Sequence, residues 1–372
     1  MHITNQGLLA RFDAFVRSID SSDVLALFHD ADSDGISSGA IVATAIKRLR
    51  GRIPDVRIYP AGASHTIREE DIALLKKAGV TKFIACDVAL DNMPDITERI
   101  ASFAEILIID HHALYHPFKA KNITLIKPQL FTDLAQPSRY CTSKLAYDLF
   151  SRHTNLEDKD WLAVAGCISD IATEPWLPWI KSVFKKYKVP MQKDLFKTAL
   201  GKVGIYINDT ASYDAKEIHK AFNVAVEANT YKELLDSPIK RYHKIIEADI
   251  IKWTKHIKTK GEWHPELKLV FYKVTPKYSV KSAITTILGL KYKQWILAVC
   301  APEHGKMTIS MRCNDQHVAV NKLIVEALKD LPDSSGGGHI PAAGGRCNVK
   351  DYPTFKDNVM KLLRGGFTGI EK

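Results

Sequence analysis

Three short apolar runs in the first third of the chain each lead into an acid or an imidazole, and a helical stretch follows each of the first two. Val24-Leu25-Ala26-Leu27-Phe28 precedes Asp30-Ala31-Asp32-Ser33-Asp34-Gly35, Thr81 to Cys86 precedes Asp87, and Glu105 to Ile109 precedes Asp110-His111-His112. Val56 to Pro60 reads as a further strand. A small-residue helix from Ile36 to about Arg50, a helix from Glu69 to Ala78 stopped by Gly79, and a helix from Ile96 to Phe103 lie between the runs. Strands alternating with helices of this length predict parallel β-α-β units. In a parallel sheet every strand's carboxyl end lies on one edge, so Asp32, Asp34, Asp87 and His111 can converge there although they are far apart in sequence.

The stretch from Asp30 to Gly35 is the densest of these endings. Carboxylates at alternate positions repel one another, and a divalent cation is the natural way to offset the repulsion. A calcium loop also begins D-x-D-x-D-G, but it needs an acid at its twelfth position, and counting from Asp30 that residue is Ile41. The calcium-loop reading fails. An acidic turn left in solvent is the plain alternative for this stretch alone, and it does not account for three strand endings of the same kind.

The length of 372 residues predicts two or three domains. No apolar run approaches a membrane span, and the N-terminus lacks a signal-peptide pattern, so a cytoplasmic protein is expected. Six cysteines without C-x-x-C spacing predict free thiols rather than a zinc site or a disulfide framework. A net charge of +10 around an acidic site suits a polyanionic substrate, nucleic acid before polyphosphate.

Beyond Leu125 the chain is irregular between Pro128 and Pro137, then helical from Ser143 to Arg152 and from Leu156 to Ala172. Asp170 lies near the end of the second helix, where a buried acid needs a partner. From Thr173 to about Pro265, aromatics (Trp176, Trp179, Phe184, Tyr187, Phe196, Phe222) alternate with lysines. A helical cap with an aromatic core is the favoured reading, and a stacking surface for single strands is the alternative. Ile239 to Ile257 reads as a long helix. Strands at 269–272, 295–299 and 307–311, with helices at 318–331 and 355–363, predict a small α/β lobe. Its stretch Gly336 to Gly345 is expected as an exposed loop, whose glycines let backbone N–H groups nest an anion.

Together Asp30-Ala31-Asp32-Ser33-Asp34-Gly35, Asp87, Asp110-His111-His112 and Asp170 resemble, in order and spacing, the DHH phosphoesterase superfamily and its RecJ-like nuclease and oligoribonuclease branch. Ser310-Met311-Arg312 and Gly336-Gly337-Gly338-His339-Ile340-Pro341-Ala342-Ala343-Gly344-Gly345 resemble the DHH-associated C-terminal domain. The resemblance implies an α/β fold with a parallel-sheet DHH domain over residues 1–172. A helical insertion and linker helix would follow over 173–265, then a smaller α/β DHH-associated domain over 266–372, with the active site in the cleft between the two α/β domains.

It further implies a phosphodiesterase using two divalent cations, Mn²⁺ first and Mg²⁺ as the rival. Such a pair, about 3.5–4 Å apart, acidifies a bound water and stabilises the oxygens of in-line displacement. By the same resemblance Asp32, Asp34, Asp87, His111 and Asp170 are ligands, Asp87 the bridging one, and Asp30 a further ligand or supporting group. The superfamily's small-substrate branches often carry H-x-x-x-D-x-D; here that position is Phe28, which leaves the role of His29 open. Asp110 would orient His111, and His112 would stabilise charge at the scissile phosphate. Arg312, His339 and the backbone of Gly336, Gly337 and Gly338 would hold a terminal phosphate or its nucleotide. The implied partners are single-stranded DNA or RNA, or short oligonucleotides, with no membrane. A homodimer and replication or repair partners are compatible with the family. The competing readings are a hydrolase of a cyclic dinucleotide or inorganic polyphosphate, and a non-catalytic replication-associated scaffold. Bacterial RecJ enzymes carry an additional oligonucleotide-binding barrel, for which no segment remains here.

Overall fold

Short, nearly continuous apolar runs build the first sheet, as described by a computed structural model of residues 3–60 and 66–370. The chain divides into two compact units, residues 1–243 and 244–372. In the first, α1 (Gln6–Arg17) precedes β1 (Leu25–His29), α2 (Ser33–Arg50), β2 (Val56–Ile58), α3 (Glu69–Lys77), β3 (Lys82–Cys86), α4 (Pro94–Ala101), β4 (Glu105–Ile109) and β5 (Ile123–Ile126). The five strands are parallel in the order β2-β1-β3-β4-β5. Leu25, Leu27, Ile84, Leu107 and Ile109 face one apolar core, and Ala26, Phe28, Phe83, Ala85, Ile106 and Ile108 face the other. Both faces are therefore covered, which is why these strands read as continuous apolar runs.

Helices α5 (Pro128–Phe131), α6 (Thr142–Phe150), α7 (Asp160–Ser169), α8 (Leu177–Lys186), α9 (Ala199–Tyr213), α10 (Ile218–Glu227) and α11 (Tyr231–Asp236) complete this unit. Helix α2 is buried from Ser33 to Ile46, against α6, α7 and α10. The Thr173–Pro265 segment is helical up to the turn after α12 (Lys240–Lys260), which carries the boundary between the units. Its aromatics are largely core, as the favoured reading had it. Phe184 and Phe222 are buried, Trp176 and Trp179 pack over the ammonium of Lys144 on α6, and Phe196 is exposed.

The second unit has a six-stranded sheet in the order β10-β11-β9-β8-β7-β6. Its elements are β6 (Glu262–His264), β7 (Leu269–Lys273), α13 (Lys281–Lys291), β8 (Ile296–Glu303), β9 (Lys306–Arg312), α14 (Val320–Leu328), β10 (Ser335–His339), β11 (Ala342–Asn348) and α15 (Tyr352–Arg364). Met307, Ile309 and Met311 of β9 face a core closed by Leu323, Ile324 and Phe355, which leaves Arg312 on the other face. The glycine-rich stretch departs from expectation. It is largely exposed, as expected, but it is a β-hairpin with β10 as the sheet's edge strand, Gly336 paired with Gly345 and Gly337 with Gly344, and not a loop. Pairing with β11 supplies the order that poor strand propensity denied it. Gly338 adopts φ +136°, and a Cβ there would meet the Ala342 carbonyl oxygen at 2.6 Å, so only glycine fits.

Candidate metal centre

The order β2-β1-β3 means that the chain leaves β1 toward one side of the sheet and returns to the other. Crevices in open α/β sheets form at such a reversal, outside the carboxyl ends of the flanking strands. Here those ends carry Asp30 to Asp34 after β1 and Asp87 after β3, strands that pair directly (His29 opposite Cys86).

Asp32 caps α2, its carboxylate accepting the Gly35 N–H at 2.9 Å. Asp34, buried in the first turn of α2, turns back to the N-terminus of α6. There it accepts the Thr142 N–H at 2.7 Å on one oxygen and the Ser143 N–H at 2.9 Å on the other. Each oxygen keeps a lone pair for a cation. The approach is close: a Cβ on Gly166 of α7 would lie 1.9 Å from Ser143 Oγ and 2.8 Å from an Asp34 oxygen.

Asp87 has φ +63°, a left-handed backbone that non-glycine residues adopt at a cost of order 1–3 kcal/mol. Its N–H is tied to the Ile109 carbonyl at 2.9 Å, and the Thr142 hydroxyl donates to its Oδ1 at 2.8 Å. The strain aims the buried carboxylate into the cluster.

His111 donates from Nδ1 to the Ser138 carbonyl at 2.8 Å, since a carbonyl can only accept. In the neutral ring Nε2 then presents a lone pair, 3.5 Å from Asp87 Oδ1. Two acceptors facing each other repel unless a proton or a cation lies between them, and a ring fixed by its other nitrogen is how metal-binding histidines are held. Asp170 ends α7, its carboxylate 3.6 Å from the His111 ring.

The ligand-type atoms gather in overlapping groups: Asp30, Asp32 and Asp87; Asp87, His111 and His112; Asp34, His111 and Asp170. Within each, the atoms lie within 4.8 Å of one another. Asp87 and His111 link the groups. Burial, then the nearby Asp34 and Asp32 carboxylates, pushes the Asp87 carboxyl well up. Asp170 is pushed up to about 7 by burial and then Asp34. Asp32 reaches solvent, yet the protein packed around it, followed by Asp30 and Asp34, raises it to about 6. Charge that three carboxyls resist taking on is charge a divalent cation would stabilise, so the residues fit such ions.

Asp110 stands apart from the ligand groups. It is completely buried, and Lys127, itself inaccessible at the end of β5, bridges it at 2.9 Å to Asp91 at 2.7 Å. Its other oxygen takes the Nδ1–H of His112 at 2.7 Å. Asp110 therefore orients His112 and not His111, whose own anchor is Ser138. Burial raises Asp110, but His112 and Lys127 outweigh it and hold the carboxyl at about 2. His112 is raised to about 9, chiefly by that hydrogen bond, so half-exposed His112 is an imidazolium at neutral pH. His29 faces away from the cluster: it stacks on Phe222 at 4.9 Å, hydrogen-bonds the Asp30 carbonyl, and burial lowers it to about 4.

In the second unit, Arg312 ends β9 with its stem against Gly289 of α13, and burial lowers its pKa. Gly336, Gly337 and Gly338 lie along the edge strand, and the side chain of His339 is outside the described residues. Sequence reading missed Thr142, Ser143, Ser138, Asp91 and Lys127. Only Lys127 left a signal, as a polar residue closing an apolar run (Ile123 to Ile126) on the same sheet edge.

Residues 24–169 match the model of the DHH family, N-terminal domain. No curated protein matches the chain in sequence. Among solved structures, the chain is similar to exonuclease RecJ bound to manganese, with a TM-score of 0.67 and 18% identity over 96% of this chain and 94% of that one. RecJ from Thermus thermophilus in complex with Mn²⁺ gives 0.67 and 17% over 96% of this chain but only 54% of its own. A pGpG-specific phosphodiesterase, PggH from Vibrio cholerae, gives 0.54 and 12% over 92% and 99%. At these identities the likeness is one of fold.

Proposed function

The chain belongs to the DHH superfamily with a RecJ-like fold, and from that premise we propose that it is a divalent-metal-dependent phosphodiesterase of single-stranded nucleic acid or short oligonucleotides. One observation carries the reading: carboxylates and an imidazole from four separate segments meet in linked groups, where burial and neighbouring carboxylates hold the Asp32, Asp87 and Asp170 carboxyls up. The buried ammonium of Lys127 serves Asp91 and Asp110, outside those ligand groups.

Asp30, Asp32, Asp34, Asp87, His111 and Asp170 would hold two divalent cations, with Asp87, common to two donor groups, as the bridge. Mixed carboxylate and imidazole donors suit Mn²⁺, with Mg²⁺ the alternative. When bound, the cations supply charge neutralisation at the phosphate and a water acidified toward neutrality. The Thr142 hydroxyl and the α6 N-terminus keep the Asp87 and Asp34 oxygens aimed, so that little reorganisation accompanies binding. His112, charged and steered by Asp110, offers Nε2–H to a phosphoryl oxygen as its charge grows. Arg312, with two parallel N–H donors, would be the grip for a phosphate on the second unit, and His339 and the backbone of Gly336, Gly337 and Gly338 would add to it.

Labelled DNA and RNA of graded length, down to dinucleotides because of the likeness to PggH, form the test panel. Mn²⁺-dependent cleavage that disappears with Asp87→Ala is expected. Cleavage undiminished by a chelator or by that substitution would overturn the hydrolase reading. Metal binding without turnover of any phosphodiester would favour the scaffold.

A further inference from the structure

Within the second unit three metal-binding atoms come to a point. After Arg312 the chain turns through Cys313, Asp315 and His317 before α14. Asp315 Oδ1 lies 2.6 Å from His317 Nδ1, and Cys313 Sγ lies 3.3 Å from both atoms. The spacing Cys-x-Asp-x-His escapes a search for C-x-x-C pairs.

Two chemistries use these three residue types. In a nucleophile relay the carboxylate takes one ring nitrogen and the thiol faces the other. Here a single nitrogen, Nδ1, faces both, and Cys313 is buried. No proton path runs from thiol to carboxylate through the ring. Donor atoms aimed at one point are instead what a cation requires. A tetrahedral zinc ion, with bonds of about 2.0–2.3 Å, holds such donors about 3.3–3.6 Å apart. The two sulfur distances need only a few tenths of an ångström, and the nitrogen–oxygen pair somewhat more.

The turn is also preset. The Cys313 N–H donates to the Pro341 carbonyl at 3.0 Å, and the Gln316 N–H to Cys313 at 3.2 Å. Gln316 is left-handed at φ +55°. Asp315 and His317 keep about a third of their side-chain surface exposed, at 35% and 36%, which leaves an open side for a water as fourth ligand.

We infer that Cys313, Asp315 and His317 form a second, independent site for a thiophilic divalent cation, zinc before others. Sulfur, imidazole and carboxylate together suit zinc better than manganese or magnesium. Binding displaces the thiol proton to solvent, so it is favoured by rising pH. The bound ion would stiffen the turn that immediately follows Arg312.

The thiolate makes the site spectroscopically distinct, because none of the ligands assigned to the first unit is sulfur. The full chain, freed of metal and kept reduced, is titrated with Co²⁺. A near-ultraviolet thiolate-to-cobalt charge-transfer band is expected, with a final amplitude corresponding to one thiolate-bound ion per chain, bleached by Zn²⁺ and of the same final amplitude in Asp87→Asn. The band should vanish in Cys313→Ser and in His317→Gln, the latter a partly exposed position where folding, checked by circular dichroism, is undisturbed. Absence of the band in the unaltered protein, or its persistence in either variant, overturns the assignment. Neither result bears on phosphodiester cleavage.

Discussion

Lys127→Met removes a buried ammonium that holds two buried carboxylates. Lys127 Nζ lies 2.7 Å from Asp91, 2.9 Å from Asp110 and 2.6 Å from the Ala113 carbonyl, and neither the lysine nor either carboxylate has accessible side-chain surface. Methionine replaces the volume but not the charge. Asp91 keeps the Tyr115 N–H at 2.8 Å and Asp110 keeps His112, so each carboxylate is left half satisfied. Stripping one partner from a buried ion pair costs about 3–5 kcal/mol, because the remaining charge has no water to return to. Each kcal/mol lowers the melting temperature of a unit this size by about 2–4 °C, giving an expected fall of about 6–20 °C. Thermal melts followed by circular dichroism, on metal-free protein, measure it. Adding Asp91→Asn removes one of the orphaned charges, so the double variant should melt above Lys127→Met alone. If Lys127→Met melted within about 2 °C of the unaltered chain, or the second substitution lowered it further by its full single effect, the buried network would not be holding this strand end, and the account of how His112 is positioned would fail with it.

Thr142→Val keeps the shape of the side chain but removes the hydroxyl donor to Asp87; Mn²⁺ affinity by calorimetry should fall about 10–100-fold with little change in melting temperature. Gly166→Ala forces a methyl group against Ser143 and Asp34, so a loss of about 1–3 kcal/mol in denaturant melts is expected, together with weaker Mn²⁺ binding. The folded pKa of His112, about 9, lies above its ordinary 6.5, so the stability from its pair with Asp110 is complete below about 6.5 and is lost as pH rises through about 9. The metal-free protein should therefore melt lower at pH 10 than at pH 6.5, and His112→Asn should flatten that difference. Mn²⁺ at a hundred times its dissociation constant should add about 2.7 kcal/mol per site, an increment that Asp87→Asn removes.

Much of the first unit was legible because its strands are buried on both faces and its helices are long enough to show their period. β4 was read at its full extent, and β1, β3, α2 and α3 to within a few residues. β5 was missed because Ile123 to Ile126 is a four-residue run with irregular chain on both sides. The glycine-rich hairpin was missed because its order comes from β11 and not from its own propensity. Asp110 was assigned to the wrong imidazole because adjacent histidines look alike until the backbone turns one toward Ser138 and the other toward Asp110.

From the residues alone it follows that Asp32, Asp34, Asp87 and His111 share one edge, since successive strands joined by helices run parallel and their endings must fall together. Which endings are neighbours is a different matter. The order β2-β1-β3-β4-β5 sets the acids after β1 directly beside Asp87, and a period of two along a strand says nothing about who lies beside it. The backbone amides that steady Asp34 come from more than a hundred residues away, and Lys127 finds Asp91 and Asp110 only once the sheet has closed. Partners chosen by packing are decided by the tertiary structure, because a hydrogen bond needs proximity in space and leaves no periodicity along the chain.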